Sequence, residues 1–195
     1  MEKISEGAEA MVYQNELFGH KIIIKTRKPK QYRIKTVDIQ IRRQRTRKEA
    51  KLMEKAAKMG IDCPKLIAVG NFSIFMEKIN GKLLKDSGIT HTQSKSAGKL
   101  LAKLHNIDIA HGDFTPANLI SSGNKLYLID FGLSESTNSI EEKALDLLLM
   151  RRHMHASLYR SFIDNYAKAA KQGREITARL AKIEERGRYQ TRTLS

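Results

Sequence analysis

The chain has 195 residues, of which 41% are hydrophobic and 29% are charged, and it carries a formal net charge of +15 at pH 7. Its single cysteine, Cys63, excludes an intrachain disulfide and a cysteine-rich zinc site. No run approaches the roughly 18 apolar residues that span a bilayer, and the first residues lack the apolar segment of a secretory signal, so we expect a cytoplasmic protein without a membrane partner. The positive charge favours polyanionic partners such as nucleic acid.

The first half of the chain is predicted to form short strands around one helix. β-Branched and aromatic residues indicate the strands, and an apolar face that ends at a glycine indicates the helix. The predicted elements are strands at 11–13 and 17–18 with a turn at Asn15, a strand at 22–24, a helix over 38–59 capped by Gly60, and strands at 66–69 and 73–76. The front of the helix is strongly basic, with Arg42, Arg43, Arg45, Arg47 and Lys48.

The second half is predicted to be mainly helical. Thr92 is the predicted N-cap of a helix whose apolar residues recur at helical spacing. These apolar residues are Ala97, Leu100, Leu101 and Leu104. After an apolar hairpin, two more helices are expected around 144–150 and 158–170. From Gly173 the chain is basic with few apolar residues, which predicts an end that is mobile or docks onto another surface.

The hairpin carries the residues that indicate a chemistry. Asp113 and Asn118 precede one apolar segment, and Asp130 follows the next one in an Asp-Phe-Gly triplet, with a turn cluster at 121–124 between them. Phosphoryl transfer needs a carboxylate beside the attacking hydroxyl, and an amide oxygen and a second carboxylate that hold magnesium against the phosphates. The spacing therefore predicts Asp113 as the catalytic carboxylate and Asn118 and Asp130 as metal ligands.

A phosphate-binding lysine and its supporting carboxylate complete the predicted site. Lys25 directly follows the strand at 22–24, and Glu49 lies on the basic helix, with Lys21 and Glu54 as their rivals. A loop of small residues before the first strand pair would cover the phosphates through backbone N–H groups. That loop consists of Gly7, Ala8, Glu9 and Ala10. The candidates for binding adenine are Met76, Glu77 and Ile79.

The order of these elements predicts an α+β fold, a minimal two-lobed protein-kinase-like fold. A β-rich N-lobe is expected over residues 1–79 and a short helical C-lobe over residues 80–195. Only 63 residues follow Gly132, which is too few for the large substrate lobe of ordinary protein kinases.

Three positions bear on how such a site would act. Gly112 stands where regulated protein kinases have arginine, which argues against switching by a phosphorylated activation loop. Thr115 stands where many protein kinases have a phosphate-binding lysine, which disfavours transfer to a protein hydroxyl. Asp146 is interpreted either as a brace for the catalytic loop or as a solvated helix acid.

Several motifs occur together along nearly the whole chain. They are Gly7-Ala8-Glu9-Ala10, Lys25 followed by Lys30-x-Tyr32-Arg33, Arg45-Thr46-Arg47-x-Glu49-Ala50, His111-Gly112-Asp113 with Thr115 and Asn118, Asp130-Phe131-Gly132, and Lys143-Ala144-x-Asp146-Leu147. In combination they resemble the small atypical kinase of the KEOPS complex, a family close to the p53-related protein kinase and more distantly to the RIO kinases. The arginine-rich run is the most discriminating part. Pro116-Ala117 is a mild departure from the family pattern.

The resemblance implies ATP and Mg²⁺ as cofactors and a role in threonylcarbamoyladenosine modification of tRNA, in an organism that we expect to be archaeal. It implies as partners a threonylcarbamoyl transferase subunit and a small regulatory subunit. ATP hydrolysis is expected to matter more than protein phosphorylation, although the same chemistry would allow autophosphorylation or transfer to serine and threonine. The basic helix front and the chain end are candidate tRNA contacts. The basic residues of the chain end are Arg174, Arg179, Lys182, Arg186, Arg188 and Arg192.

Other functions stay open at this stage. The first is a stand-alone atypical Ser/Thr protein kinase, which the short chain and Thr115 disfavour. The second is a small-molecule kinase of the aminoglycoside or choline type, which shares His-Gly-Asp but needs a long acidic C-terminal lobe. The third is a nucleotide-sensing module without turnover, against which the intact set of Asp113, Asn118 and Asp130 argues.

Overall fold

The computed structural model describes the backbone of residues 1–192 and the side chains of residues 1–186. The chain divides into two compact units: the first is Met1–Asn80 with Tyr127–Gly132, and the second is Gly81–Leu126 with Leu133–Ser195. The first unit consists mostly of strands and the second mostly of helices, so the chain has the α+β composition predicted for it. Within residues 1–192, no helix has both the length and the apolar composition needed to cross a bilayer.

The first unit contains an antiparallel sheet and one long helix. Its elements are β1 (Glu2–Glu6), β2 (Ala10–Leu17), β3 (His20–Arg27), α1 (Lys35–Lys58), β4 (Leu66–Val69) and β5 (Ser73–Glu77). The strand order is β1-β2-β3-β5-β4. β3 lies between β2 and β5, where Lys25 is opposite Val12 on one side and Ile74 on the other. A strand paired on both edges is a rigid position for a functional lysine.

The predicted turn at Asn15 is wrong. β2 continues to Leu17, which pairs with His20, so the turn consists of Phe18 and Gly19. Both turn residues have positive φ angles, 49° and 77°, as a two-residue type I′ hairpin requires. Phenylalanine rarely adopts that conformation, so the residue types gave no indication of the turn. β1 was not predicted either, because all of its side chains are exposed and carry no apolar alternation.

α1 confirms the predicted basic helix, although it begins at Lys35 and not at residue 38. Leu52, Met53 and Ala56 are buried, as the helical periodicity required. The helix ends at Lys58, and Gly60 follows in the left-handed conformation with a φ of 76°. That glycine lets the chain turn away at low steric cost, which is the capping role predicted for it.

The second unit is built around packed helices. Its elements are β6 (Lys82–Leu83), α2 (Leu84–Ser87), α3 (His91–Asn106), β7 (Ile109–Ala110), a 3₁₀ turn (Pro116–Asn118), β8 (Leu119–Ser122), β9 (Lys125–Leu128), β10 (Glu135–Ser136), α4 (Ile140–Arg151), α5 (Ala156–Ala169) and α6 (Gly173–Arg192). The predicted hairpin corresponds to β8 and β9, which are joined by a turn at Gly123. The last two residues of β9 belong to the first unit.

α3 provides the core of the second unit. Its predicted apolar residues are all buried: Ala97, Leu100, Leu101 and Leu104. A β-carbon on Gly98 would lie 2.3 Å from the carbonyl oxygen of Phe162, so α3 and α5 approach too closely for any side chain there. The predicted N-cap Thr92 is wrong. Thr90 caps the helix instead, since its side chain accepts from the N–H of Gln93 while the Gln93 side chain accepts from the N–H of Thr90.

The chain end, predicted to be mobile or docked, forms helix α6. Ile176 and Leu180 are buried four residues apart on one face of the helix. Arg179 forms an ion pair with Glu141 of α4. Two apolar residues at helical spacing are enough to seat an amphipathic helix, which the overall polarity of the segment concealed.

Candidate functional site

Lys25 lies at the centre of a charged cluster in the first unit. Its Nζ donates to Glu49 Oε1 at 2.7 Å and to Asp130 Oδ1 at 2.5 Å. Only 12% of the lysine side chain is exposed, whereas the Asp130 side chain is 46% exposed. The structure thus brings together three of the side chains that the sequence proposed for nucleotide and metal binding. The rival carboxylate Glu54 instead forms an ion pair with Lys58.

The protonation of Lys25 follows from these neighbours. Burial acts to lower its pKa, but the carboxylates of Glu49 and Asp130 outweigh that effect, and the pKa of Lys25 is raised above 10.5. Lys25 is therefore a permanent cation at neutral pH. A fixed positive charge in a largely buried setting is suited to binding phosphate oxygens.

The backbone at Asp130 is strained. Its φ is 63°, a left-handed conformation that costs a non-glycine residue about 1–2 kcal/mol. The next side chain, Phe131, is 1% exposed, and the N–H of Gly132 donates to Asp130 Oδ1 at 3.0 Å. Buried packing on one side and a hydrogen bond on the other hold the strained residue. Strain of this kind is often found at functional sites.

Residues 7–9 connect β1 to β2, and Ala10 begins β2. The predicted loop therefore lies between the first two strands of the sheet, and it precedes the strand pair β2 and β3 that the sequence had indicated. The N–H of Gly7 donates to the carbonyl of Ala10 at 2.9 Å, which closes a tight turn. Glu9 points to basic side chains: its two carboxylate oxygens lie 2.8 and 2.6 Å from Arg45 Nη1. The hydrogen bond from Arg45 holds the pKa of Glu9 below 4.5 despite partial burial.

Arg27 is a functional-site residue that the sequence analysis missed. It lies two residues after Lys25 on β3, so both side chains leave the same face of the strand. Its Nη2 donates to Glu49 Oε2 at 2.5 Å, and its Nη1 donates to Glu9 at 3.3 Å. The two-residue spacing was a visible signal, but many basic residues of this chain stand two apart.

The predicted adenine-binding segment begins inside β5. Met76 is buried at 8% exposure. The N–H of Glu77 donates to the carbonyl of Lys65 at 2.9 Å, and the N–H of Lys78 donates to the carbonyl of Lys21 at 3.3 Å. Both of these backbone N–H groups are already hydrogen-bonded within the first unit. A backbone contact of Glu77 or Lys78 with a base would therefore be made by a carbonyl oxygen. The role of Met76, Glu77 and Ile79 stays a prediction.

In the second unit, Asp113 and Asn118 are held together. Asn118 Nδ2 donates to Asp113 Oδ2 at 2.8 Å and to the Asp113 carbonyl at 2.8 Å. The 3₁₀ turn at Pro116–Asn118 shortens the path between the two residues, which explains why their side chains meet. Asn118 is 9% exposed. Since its amide nitrogen is used toward Asp113, its amide oxygen is the atom left to act as a metal ligand.

Gly112 has a steric reason to be glycine. Its φ is 77°, and a β-carbon there would lie 2.5 Å from the carbonyl oxygen of Leu133. The arginine of regulated protein kinases would clash at this position. Thr115 is buried at 8% exposure and supplies no cation.

Asp146 of α4 is the brace that the sequence left undecided. Its side chain is fully buried, and its carboxylate accepts from the N–H groups of His111 at 2.6 Å and Gly112 at 2.8 Å. His105 Nε2 also contacts it at 3.1 Å, while His105 Nδ1 lies 2.7 Å from the hydroxyl of Tyr166. Two backbone donors on one buried carboxylate fix the loop directly before Asp113. The interpretation of Asp146 as a solvated helix acid is therefore excluded.

Burial lowers the pKa of His105, against the opposing effect of Asp146 and with help from the nearby Lys143 and His111. A neutral ring donates from Nε2 to the Asp146 carboxylate and accepts from the Tyr166 hydroxyl at Nδ1. Burial also raises the pKa of Tyr166, so its hydroxyl stays a donor.

The basic residues proposed for tRNA fall into two groups. Arg42 donates to Asp38 at 2.6 Å and stacks 3.9 Å above the ring centroid of Phe72, and Arg45 binds Glu9. These two arginines stabilise the first unit. The others in the run, Arg43, Arg47 and Lys48, are exposed.

The basic residues of the chain end divide in a similar way. Arg179 pairs with Glu141, whereas Arg174, Lys182 and Arg186 are exposed. The side chains of Arg188 and Arg192 lie outside the described residues. The exposed members are the ones whose charges are available to a polyanion.

Residues 14–179 match the family model of the RIO domain. The chain belongs to the RIO-domain family. The matched region includes Lys25, Glu49, Asp113, Asn118 and Asp130. The chain therefore carries a kinase-like domain, as its motifs predicted.

Relatives of full length narrow the family to the Bud32 proteins. The chain is 34% identical over 216 residues to the KEOPS complex subunit Bud32 of Pyrococcus abyssi, covering 99% of this chain and 98% of that protein. It is 38% identical over 188 residues to a probable serine/threonine-protein kinase BUD32 homolog of Archaeoglobus fulgidus, covering 93% and 92%. These matches confirm the resemblance drawn from the motifs.

Longer relatives contain a region similar to this chain. The chain is 36% identical over 196 residues to a probable bifunctional tRNA threonylcarbamoyladenosine biosynthesis protein of Methanobrevibacter smithii. The match covers 95% of this chain but only 36% of that protein. The chain thus spans about a third of the length of the bifunctional relatives.

Solved structures confirm the fold. The Rio2 kinase of Chaetomium thermophilum, in an ADP/Mg²⁺-phosphoaspartate complex, matches with a TM-score of 0.67 at 16% identity, covering 96% of this chain and 70% of that one. WaaP in complex with acyl carrier protein matches with a TM-score of 0.68 at 11% identity, covering 96% and 88%.

Proposed function

We propose that this chain is an ATP- and Mg²⁺-dependent phosphotransferase and ATPase that supports threonylcarbamoyladenosine modification of tRNA as a subunit of a KEOPS complex. The proposal of phosphotransfer rests on the ion pairs of Lys25 with Glu49 and Asp130. The KEOPS part rests on similarity to the KEOPS complex subunit Bud32 of Pyrococcus abyssi, and the modification part on similarity to the tRNA threonylcarbamoyladenosine biosynthesis protein of Methanobrevibacter smithii. An archaeal or eukaryotic chain of this family would act in the cytoplasm.

The residues fit the proposed cofactors. Lys25 would bind the α- and β-phosphates, with Glu49 orienting it. The N–H groups of Ala8, Glu9 and Ala10 would face the phosphates, while the Gly7 N–H closes the turn. Asn118 and Asp130 offer an amide oxygen and a carboxylate, which are the hard oxygen ligands that Mg²⁺ prefers, and Mg²⁺ is usually held by one or two such groups together with substrate phosphates. When bound, the ion would neutralise charge that develops on the phosphates.

Lys25 would exchange one partner when nucleotide binds. In the structure its Nζ bridges Glu49 and Asp130. Binding to phosphates would replace the contact with the exposed Asp130 and keep the contact with the buried Glu49. Glu49 and the negatively charged phosphates would then be the anions that keep Lys25 protonated.

Asp113 would act on the attacking group. Its Oδ2 accepts from Asn118 at 2.8 Å, which fixes the orientation of the carboxylate and leaves Oδ1 to accept a proton from water or a hydroxyl. The Asp146 brace holds the two residues before Asp113 through their N–H groups. A base that is positioned in advance reduces the entropic cost of the reaction.

The partners are part of the proposal. A threonylcarbamoyl transferase subunit and a small regulatory subunit would complete the complex. Exposed basic residues would contact tRNA phosphates, with Arg47 and Lys48 on α1 and Lys182 and Arg186 on α6. If six to ten phosphates are neutralised, tRNA affinity would fall on the order of a thousandfold or more between 50 and 200 mM salt.

The test is an incubation with γ-labelled ATP and Mg²⁺, in which released phosphate is counted separately from labelled protein. It is run with and without tRNA and the transferase subunit, with Asp130→Ala as the blank. We expect phosphate release that rises with partner and tRNA, together with little protein labelling. Binding of tRNA to the chain is measured separately at 50 and 200 mM salt. An affinity that changes little between the two salt concentrations would contradict direct contact with tRNA.

A stand-alone Ser/Thr protein kinase is the second candidate, favoured by similarity to the probable serine/threonine-protein kinase BUD32 homolog of Archaeoglobus fulgidus. It predicts strong labelling of an added acidic protein, without any effect of tRNA or transferase subunit. Thr115 disfavours this candidate, because it is buried and uncharged and stands where many protein kinases have the lysine that binds the transferred phosphate.

A further inference from the structure

Arg27 is a buried cation to which the proposed phosphotransfer mechanism assigns no role. Only 6% of its side chain is exposed, and its Nε has no hydrogen-bond partner among the described residues. Removing a guanidinium from water costs several kcal/mol unless anions compensate for the loss. The anions that compensate here, Glu49 and Glu9, are both residues of the proposed nucleotide site.

One carboxylate holds two cations. Glu49 Oε1 accepts from Lys25 at 2.7 Å, and Glu49 Oε2 accepts from Arg27 at 2.5 Å. With one oxygen occupied by each cation, the carboxylate cannot rotate without losing a charge-assisted hydrogen bond. Arg27 therefore fixes the orientation in which the Glu49 carboxylate meets Lys25.

The same guanidinium reaches the phosphate-covering loop. Arg27 Nη1 donates to Glu9 Oε2 at 3.3 Å, and the backbone N–H of Lys28 donates to the Glu9 carbonyl at 3.0 Å. The side chain of Arg27, the last residue of β3, and the backbone of Lys28, which follows it, thus both hold Glu9. A planar fork with several donors can bind two carboxylates at once, which the single ammonium of lysine does less well.

Arg27 also lies beside the Asp-Phe-Gly segment. A β-carbon placed on Gly132 would lie 3.4 Å from Lys25 Nζ and 3.6 Å from Arg27 Nη2. Both cations therefore border the glycine that follows Asp130.

We propose that Arg27 is a positioning residue, which holds Glu49 against Lys25 and connects the loop of residues 7–10 to the same carboxylate through Glu9. This inference rests on the proposed function, because it takes Lys25 as the phosphate-binding lysine. Removal of Arg27 would leave Lys25 as the remaining cation on Glu49 and Arg45 as the remaining arginine on Glu9. Both carboxylates would be less firmly held, so that nucleotide binding and turnover would both weaken.

The test compares Arg27→Met, Arg27→Lys, Lys25→Met and the double variant, in the full chain with its complex partners. Calorimetric titration with ADP and Mg²⁺ measures affinity, and phosphate release measures kcat and KM for ATP. Lys51→Met is the matched control, since Lys51 is an exposed cation of the same unit outside the proposed site. Thermal unfolding of every variant establishes the folded fraction.

We expect Arg27→Met to weaken ADP affinity and to lower kcat/KM by roughly 10- to 100-fold, as is typical when a group that orients a ligand-binding residue is lost. Arg27→Lys should recover part of the loss. In the double variant the two losses should combine to less than their product, because Arg27 acts through Lys25 in one of its two roles. The effect of Glu9→Gln on ADP affinity should shrink at least about twofold in the Arg27→Met background.

Unchanged kcat, KM and ADP affinity in folded Arg27→Met would overturn the inference. So would a double variant in which the two losses multiply, since that result would make Arg27 an independent structural residue. If Arg27→Met does not fold, Arg27→Lys and the effect of Glu9→Gln on ADP affinity in the Arg27→Lys background give the same decision. A wild-type chain that neither binds ADP nor turns over ATP would instead refute the proposed function, and the inference with it.

Discussion

In the first unit, Lys25 is held by charges: two carboxylates contact its ammonium, and Arg27 shares one of them. In the second unit, Asp113 is held by amide hydrogen bonds: Asn118 binds it, and Asp146 accepts two backbone N–H groups of the loop before it. The charged cluster can exchange partners at low cost, since Asp130 is half exposed. The loop cannot, since its acceptor Asp146 is fully buried. One region is therefore suited to respond to a ligand and the other to stay fixed.

The largest expected effect is at the fixed base. Asp113→Asn keeps the shape of the side chain and removes its basicity, so kcat for ATP turnover should fall by about 10²- to 10⁴-fold. KM for ATP should change little, because Asp113 would contact the attacking group and not the nucleotide. Steady-state phosphate release measures both constants. The control is Asp164→Asn, an exposed acid on α5; a normal kcat in Asp113→Asn would remove Asp113 from the mechanism.

The next effect separates the two regions by stability. Asp146→Ala would leave two buried N–H groups without their acceptor and should lower the free energy of unfolding by roughly 3–5 kcal/mol. Lys25→Met should lower the free energy of unfolding by less, about 1–2 kcal/mol. In that variant Glu49 would still be paired with Arg27, and the exposed Asp130 carboxylate would be solvated. Denaturant unfolding measures both variants. Equal losses would mean that the charged cluster is as rigid as the braced loop.

A pair of glycines tests how tightly the loop is packed. Gly112 and Gly123 both have positive φ, but a β-carbon at Gly112 would meet the Leu133 carbonyl at 2.5 Å, whereas open space surrounds Gly123. Both substitutions place alanine in a left-handed conformation, but only Gly112→Ala adds a steric clash. Gly112→Ala should therefore lower the free energy of unfolding by about 1–3 kcal/mol more than Gly123→Ala does. Melting temperatures of the two variants make the comparison. Matching values would show that the loop shifts to accept a side chain.

The smallest effect is on pH dependence and concerns His105 behind the loop. Burial lowers the pKa of His105 in the folded chain below 6.5. Just below pH 6.5, His105 therefore takes up a proton in the unfolded chain but stays neutral in the folded chain. Stability from neutral His105 is thus present above pH 6.5 and is lost as pH falls toward the folded-state pKa. Urea unfolding at a series of pH values should show this loss, and His105→Gln should reduce it. Parallel curves for the two proteins would contradict a neutral buried His105.

Much of the fold could be predicted from local patterns. The β-branched run before Lys25, the apolar face of α3 and the leucine-rich α4 were all identified, because strand and helix periodicities depend only on chain geometry. Errors occurred where a local signal was weak or misleading. Phe18 adopts a turn conformation that its residue type rarely adopts, and the apolar residues of α6 were too few to stand out in a polar segment.

For the site, the sequence by itself determined which residues are candidates. The spacing of Asp113, Asn118 and Asp130 around two apolar segments is a one-dimensional signature of phosphoryl-transfer chemistry, and no packing knowledge is needed to recognise it. The tertiary structure decided which charges meet. Arg27 rather than another basic residue shares Glu49, and Asp146 reaches backbone groups 34 and 35 residues away. Such partners follow from how distant segments pack, and a sequence with 36 lysines and arginines leaves too many equivalent pairings for local patterns to distinguish.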